Sequence, residues 1–534
     1  MSRLRPSWIV AAVAVLVPLS FAAYTGHMWE DYFITLRSSR NLVEGHGLVF
    51  TPGERLHTFT SPLGVLLPAL CTAIAGVENE QLAMWLFRCV SVAFLAAAAV
   101  LAWRRFAALG VGTLGRFVFF GLLLADAKLA DFSTNGMETA VLIFFVLLLW
   151  TELERAEGPR VSCIALACAG LMWTRPDGFI PGAALILPHL VFRTRADGPA
   201  RIPWRALVQG IAVGAVVYLP WFLWAWWYYG TPVPHTITAK SGIMLPPTAK
   251  EILLTPWNTL RGESKLVDLF LPTYWFYGGW PRAIVAFGYA LSVPAAFAWL
   301  VPALPAIVRR LSLGVFIGMF YVCAIILFPW YAPPWAVIAA LTMALLADFA
   351  HARAKAAGWA TPASLLRVAC ALVVVVQVGL LVATAWQMKN QQRIVELGVR
   401  RPIGEWLRAN AAPGDTVLME PLGYIGYYSR LKTYDFPGLS SREVVATVRS
   451  GVYRYADLIA RLKPTWLVLR PTEIAEKDFA ERPILRDYKL VKTWDAMSAL
   501  DAVGTLPGRR WVEWEARFKV FHYEPAKPEG PERR

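Results

Sequence analysis

The sequence predicts an α-helical polytopic membrane protein of about eleven transmembrane helices, with a C-terminal α/β domain outside the cytoplasm. Three observations lead there. First, 57% of the 534 residues are hydrophobic and only 17% charged, against roughly 45–50% apolar and about 25% charged residues in soluble domains. Second, residues 387–534 hold 44 of the 89 charged residues, leaving 45 for the first 386. Third, the charge-poor part breaks into apolar runs near the ~20 residues that an α-helix needs to cross a ~30 Å hydrocarbon core. Disordered, collagen-like and small disulfide-stapled proteins are excluded.

The runs fall at about 7–25, 84–103, 113–127, 138–151, 161–175, 177–192, 206–227, 283–306, 311–328, 335–350 and 365–386. Several are short and carry Pro or Gly, which neighbouring helices can cover. The run 61–76, led by Ser61-Pro62, reads as a helix on the membrane surface. Lys and Arg set the orientation. With Arg3 and Arg5 inside, the inner connections carry Arg104, Arg105, Arg116, Arg155, Arg160, Arg193, Arg195, Arg201, Arg205, Arg309, Arg310, Arg353, Lys355 and Arg367. The short outer turns carry little beyond Lys128 and Arg175. Residues 1–386 thus form a membrane domain with long outer loops at 26–82 and 228–281, and residues 387–534 an outer soluble domain.

The net charge of +15 is accounted for mainly by inner-loop cations. No clustered basic and aromatic face marks a nucleic-acid binder. The six cysteines lie in or beside apolar segments, with neither a disulfide framework nor a CxxC metal motif. Residues 1–25 lack a good small-residue cleavage site and read as an uncleaved first span. In the tail, a helix at 403–410 stops at Ala411-Ala412-Pro413-Gly414-Asp415. Strands are expected at 416–419 and 466–469, around a helical 441–462. Long outer loops and an outer domain, without internal repeats, point to chemistry at the outer surface rather than transport.

The first outer loop opens with Glu30 and Asp31, followed by Arg37 and Arg40. The i, i+3 spacing of the arginines puts both on one helix face. Such charges are ordinary interfacial anchors. Alternatively they form a carboxylate base beside a phosphate clamp, for which the planar guanidinium fork is suited. Gly45 to Arg55 is turn chemistry and lacks the features of a P-loop. Glu138, Arg175 and Asp177 are ionisable groups at or just within the membrane, functional candidates by position. An internal ion pair that only orders a turn is the competing reading. His235 and Lys240 follow the Trp-rich end of the seventh span, where a lysine can reach a lipid phosphate or simply snorkel. No HExxH or Gly-x-Ser-x-Gly motif supports a hydrolase.

Glu-Asp-Tyr-Phe-Ile-Thr-Leu-Arg at 30–37, Asn-Leu-Val-Glu-Gly-His-Gly-Leu-Val-Phe at 41–50 and Phe-Thr-Ser-Pro-Leu at 59–63 resemble the opening of GT-C superfamily membrane glycosyltransferases. The mycobacterial terminal arabinofuranosyltransferase family is the nearest likeness. Asn135–Thr139, Arg175–Gly178, Pro234–Lys240 and Trp330–Pro334 are similar to its later blocks. Glu30 stands where that family usually has Asp, and Gly64 where it often has an aromatic.

The resemblance implies transfer of a sugar, with arabinofuranose the one it points to. The donor would be a polyprenyl-phosphate sugar and the acceptor a cell-envelope glycan, met at the outer face of a bacterial plasma membrane. An inverting mechanism with one carboxylate base is implied as well. On this reading Asp31 is the base, and Glu30 orients it or binds acceptor. Arg37, Arg40, Arg175 and Lys240 compete for the donor phosphate. His57, Glu138, Asp177, His235, Trp330 and Tyr331 contact substrate. Glu30 and Asp31 can also ligate a divalent cation, although two adjacent carboxylates do not specify one. A lipid-linked glycan flippase or a non-catalytic envelope-assembly protein would share the spans without needing the outer carboxylates.

Overall fold

The structure is a computed structural model describing residues 6–192, 204–243, 246–272, 279–324, 328–474 and 482–525. Arg3, Arg5, Arg193, Arg195 and Arg201, used in the orientation argument, lie outside the described residues, as does part of the expected span 311–328. The chain forms two compact units. The first comprises Met1–Trp29, Ser61–Trp224 and Pro246–Lys389, and the second Glu30–Thr60, Ala225–Leu245 and Asn390–Arg534.

Among the described residues seven helices are long and apolar enough to cross a bilayer, and all take part in the membrane unit, wholly or over most of their length. They are Pro6–Thr25 (α1), Glu80–Ala108, Trp204–Tyr229, Arg282–Leu300, Ala306–Cys323, Pro333–Ala356 and the stretch beginning at Ala360. Expected spans at 113–127, 138–151 and 161–175 are helices of 13 to 15 residues: Thr113–Ala125, Thr139–Leu153 and Val161–Thr174. The expected span 177–192 is broken. A 3-10 turn at Pro176–Gly178 precedes the helices Phe179–Ile186 and Pro188–Val191. Prolines lack an N–H and crowd the preceding turn, so Pro176, Pro181 and Pro188, each in the first turn of its piece, interrupt the ladder. The apolar helix Pro62–Ala75, with 14 residues, is about 21 Å long at 1.5 Å per residue.

Apolar helices gain little from one another by the hydrophobic effect in lipid, so close van der Waals packing takes over. A Cβ on Gly170 would lie 2.2 Å from Phe145, and one on Gly318 2.2 Å from Trp335. The helix Thr139–Leu153 is buried almost throughout. Glu138 is at its start, and Glu152 and Glu154 at its end. Around those last two gather Arg160 (2.5 Å), Arg155 and Arg310 (2.6 Å), cations drawn from two expected inner connections.

The second unit is built on a five-stranded sheet, ordered β2-β1-β3-β5-β4. The strands are β1 (Thr416–Met419), β2 (Lys432–Asp435), β3 (Trp466–Leu469), β4 (Tyr488–Asp495) and β5 (Arg517–Tyr523). β1 pairs in parallel with β2 and β3, with Val417 opposite both Thr433 and Trp466. β5 runs antiparallel to β3 and β4. Ile34 and Phe50 of the first loop belong to the core of Val417, Met419, Val468 and Val520, and Ile243 packs on the core of Leu418 and Leu467. Residues 30–60 and 225–245 are thus part of the α/β unit. The sequence had placed them with the membrane domain, since pattern along the chain says nothing about which distant core a loop enters.

The α/β unit buries charge. Glu515 accepts from Arg470 at 2.7 Å and from Arg400 at 2.6 Å, all three nearly inaccessible. Arg470 also donates to Glu473 (2.6 Å) and to Glu420 (2.7 Å). Breaking a buried pair strands the remaining charge. Glu515→Gln is therefore expected to destabilise the protein by about 3–5 kcal/mol, read as a lower thermal midpoint of the detergent-purified full chain.

Candidate active site

Glu30 and Asp31 form the first turn of helix α2 (Glu30–Val43), where negative charge meets the positive end of the helix dipole, and Arg40 lies in its last turn. Both carboxylates are half-buried. Glu30 Oε1 accepts the main-chain N–H of Gly423, the first residue of the helix Gly423–Ser429, at 2.5 Å.

Burial pushes the Glu30 carboxyl up to about 8, and the neighbouring Asp31, Glu420 and Glu396 add to the shift. Arg400 opposes it. Its guanidinium is already engaged by Glu396 (3.0 and 3.1 Å) and Glu515 (2.6 Å), so it does not hold Glu30 ionised. Glu30 is therefore mostly protonated at neutral pH.

Arg37 is not placed as a phosphate clamp. It is buried, donating to the main-chain oxygens of Gly426 (2.6 Å) and Leu431 (3.0 Å) and lying 4.1 Å over the Phe50 ring. Burial, reinforced by Arg430, lowers its pKa to about 9. Arg40 donates to Glu44 (2.8 Å) and to the Tyr427 hydroxyl (3.4 Å). Lys240 lies, half-buried, in the last turn of the helix His235–Ser241.

His57 and His235 come together within the same unit, the His235 main-chain N–H donating to the His57 carbonyl at 2.8 Å. The His57 ring stacks on Tyr229 (4.5 Å between centroids, 9° between planes) and packs edge-on against Phe59. Burial lowers its pKa to about 3, so the imidazole is neutral. Burial also lowers that of His235, whose Nε2 is 3.4 Å from the Ser441 carbonyl.

Glu138, Arg175, Asp177, Trp330 and Tyr331 assemble separately, in the membrane unit. Arg175 donates to Glu138 (3.2 Å) and Asp177 (2.9 Å) and lies 4.5 Å over Tyr331. Tyr321, not expected from the sequence, donates to the second Asp177 oxygen at 2.5 Å. Trp330 stacks on Phe328 and meets Trp29 edge-on. The cavity bounded by Arg175, Asp177, Tyr321, Trp330 and Tyr331 measures about 10 Å³, room for about one water. Arg175 is thus held by two protein carboxylates, which reduces its value as a donor-phosphate ligand.

Sequence reasoning missed Gly423, Arg400, Arg470 and Glu515. Charges in a soluble tail read as surface, and only Gly423, following a strand and a proline, carried a turn signal. Among the described residues no three His, Cys, Asp or Glu side chains come together as a metal site.

A family model described as a domain of unknown function (DUF8728) matches residues 386–515. A terminal β-(1→2)-arabinofuranosyltransferase of Corynebacterium glutamicum is 30% identical over 272 residues, covering 44% of this chain and 36% of that protein. The protein of the same name from Mycobacterium tuberculosis is 26% identical over 251 residues, covering 44% and 38%. The chain thus matches little more than a third of the length of these relatives. The crystal structure of ArnT from Cupriavidus metallidurans bound to undecaprenyl phosphate superposes with a TM-score of 0.57 at 14% identity, covering 99% of this chain and all of that one.

A carboxyl whose folded-state pKa is raised binds its proton more tightly folded than unfolded. Its favourable effect is full below the unfolded value of about 4.5 and is lost as pH rises through about 8. The thermal midpoint of wild type should therefore fall more between pH 6 and 9 than that of Glu30→Gln, a difference that scanning fluorimetry in detergent reads directly. The chain is a multi-pass membrane protein with the fold of ArnT, similar over 44% of its length to two proteins named terminal β-(1→2)-arabinofuranosyltransferases.

Proposed function

We propose that the protein transfers a sugar, with arabinofuranose the leading candidate, from a polyprenyl-phosphate donor to a hydroxyl of a cell-envelope glycan. The reaction takes place on the outer face of a bacterial plasma membrane, with the N-terminus inside and the α/β unit outside. The observation that carries the reading is the pair of adjacent carboxyls in the first turn of α2, with Glu30 bound to the Gly423 N–H. Adjacent carboxyls can take unlike roles; burial and the Gly423 bond set Glu30 apart, and on this reading Asp31 is the base. The relatives named arabinofuranosyltransferases and the ArnT structure with its polyprenyl phosphate support the donor class. So does an apolar groove of about 580 Å³ along α1 and the helix Ala360–Gln391. Leu16, Phe21, Leu381 and Val382 line it, with Tyr24 and Trp386 also on its wall, and Lys389 lies 4.2 Å from the Tyr24 ring.

In the reaction an acceptor hydroxyl attacks the anomeric carbon as the bond from that carbon to the phosphate oxygen breaks. The hydroxyl proton passes to Asp31, and the electron pair leaves with the polyprenyl phosphate. Charge accumulates on the ring as in glycoside cleavage. Phosphate departs without a general acid, provided that a cation meets it. Arg37, Arg40, Arg175 and Lys240 are the candidates for that role, Arg37 being bound to main-chain carbonyls, Arg40 to Glu44 and Arg175 to two carboxylates. Glu30, protonated, orients Asp31 or donates to the acceptor. A divalent cation at the two carboxylates is not needed for this scheme.

Removing a positioned base typically costs about 10²–10⁴-fold. Asp31→Asn should lose that much of kcat with a radiolabelled lipid-phosphate sugar, while binding of the donor persists. Transfer at the wild-type rate would remove Asp31 from the role, and no transfer by wild type across a donor panel would overturn the reaction itself.

A further inference from the structure

The second unit holds a contact whose geometry goes beyond general packing. Glu30, Phe33 and Arg37 recur at i, i+3 and i+7, which places them on one face of α2. Each engages the helix Gly423–Ser429 or the chain just after it. Glu30 takes the Gly423 N–H (2.5 Å), and Arg37 takes the carbonyls of Gly426 (2.6 Å) and Leu431 (3.0 Å). Phe33 lies among three rings, Tyr424 at 4.0 Å, Tyr427 at 5.2 Å and Tyr428 at 5.8 Å between centroids.

The approach at Gly423 is of main chain to main chain. A Cβ there would lie 2.0 Å from the Glu30 carbonyl oxygen, 2.7 Å from its carbonyl carbon and 2.9 Å from its Cγ. A carbonyl oxygen cannot swing aside as the end of a long side chain can, so α2 itself would have to move. The φ of Gly423 does not demand glycine; the space does.

Asp31, one residue on, is turned about 100° around the helix axis from Glu30. It shares its side of α2 with Thr35, and both are half-buried. With one face of α2 fixed at both ends and in the middle, the direction of the adjacent face is fixed as well.

We propose that the helix Gly423–Ser429 sets the rotation of α2 and thereby the position of Asp31, which makes Gly423 a positioning residue for sugar transfer. The catalytic half of this rests on the function proposed above. It also gives residues 386–515, which match a family model of unknown function, a task inside the active centre: holding the carboxylate helix in register.

The test compares detergent-purified full-length Gly423→Ala with wild type, and with Gly379→Ala, where an added Cβ meets nothing within 4 Å. Gly423→Ala should raise amide hydrogen exchange across residues 30–43 by about tenfold or more, with the spans of the membrane unit unchanged. Its kcat with a lipid-phosphate sugar should fall by about tenfold or more while KM for the donor stays within about threefold. Gly379→Ala should do neither. Unchanged exchange across α2 overturns the proposal, and so does raised exchange with an unaltered kcat. If wild type transfers no sugar from any donor, the reaction fails as a reading. Exchange then decides alone, a rise supporting the docking of α2 and no rise overturning it. Should Gly423→Ala not fold, Arg37→Lys loosens the other end of the same face. It should raise exchange over 37–43 and lower kcat rather than weaken donor binding; an increase in donor KM alone would overturn the proposal.

Discussion

The meeting of the Glu30 carboxyl with the first amide of the Gly423–Ser429 helix is the constraint on which the rest of the carboxylate site depends. A helix start leaves amides without intrahelical partners, and here one of them is answered by a side chain from a helix almost four hundred residues earlier. That bond, the glycine that makes room for it and the Arg37 clasp two turns along α2 together turn an outer loop into a fixed part of an α/β fold. Two adjacent acids in a mobile loop would behave alike. Held this way they differ.

Both units treat arginine in the same manner. Arg175 sits between Glu138 and Asp177, Arg400 between Glu396 and Glu515, and Arg470 among Glu420, Glu473 and Glu515. Each is buried, and each has more carboxylate neighbours than its single charge can neutralise. Such clusters add little net stability, since desolvation offsets much of the attraction. Their effect is on surroundings: a carboxyl placed beside one, as Glu30 is, finds the nearest positive charge already shared.

Much of this was legible in the residues and some was not. Apolar runs located the membrane helices, because a bilayer imposes a length, but those of 13 to 15 residues and the proline-broken 176–191 show that run length alone does not delimit a helix. β1 and β3 fall at the expected residues, their four-residue apolar runs being buried strands, and the stop after residue 410 is where Pro413 and Gly414 put it. The helical 441–462 is instead two helices, Arg442–Arg449 and Tyr455–Leu462, parted at Gly451, whose φ is +88°. β2 and β4 passed unnoticed, being polar or largely exposed, and so did the short Gly423–Ser429 helix. The pairing of Arg37 with Arg40 on one face suggested a clamp. Its actual ligands are main-chain carbonyls, which no side-chain pattern announces.

The core of the α/β unit draws on three stretches far apart in the chain: Ile34 and Phe50 early, Ile243 midway, and Val520 in the last strand. A ribosome delivers these hundreds of residues apart. The first loop is therefore made long before its packing partners exist. Its apolar side chains must wait for β5, so this unit completes itself only after residue 523 has been made. Non-local closure of this kind is slow and leaves sticky surface uncovered meanwhile. Until then Ile34 and Phe50 have no core to enter.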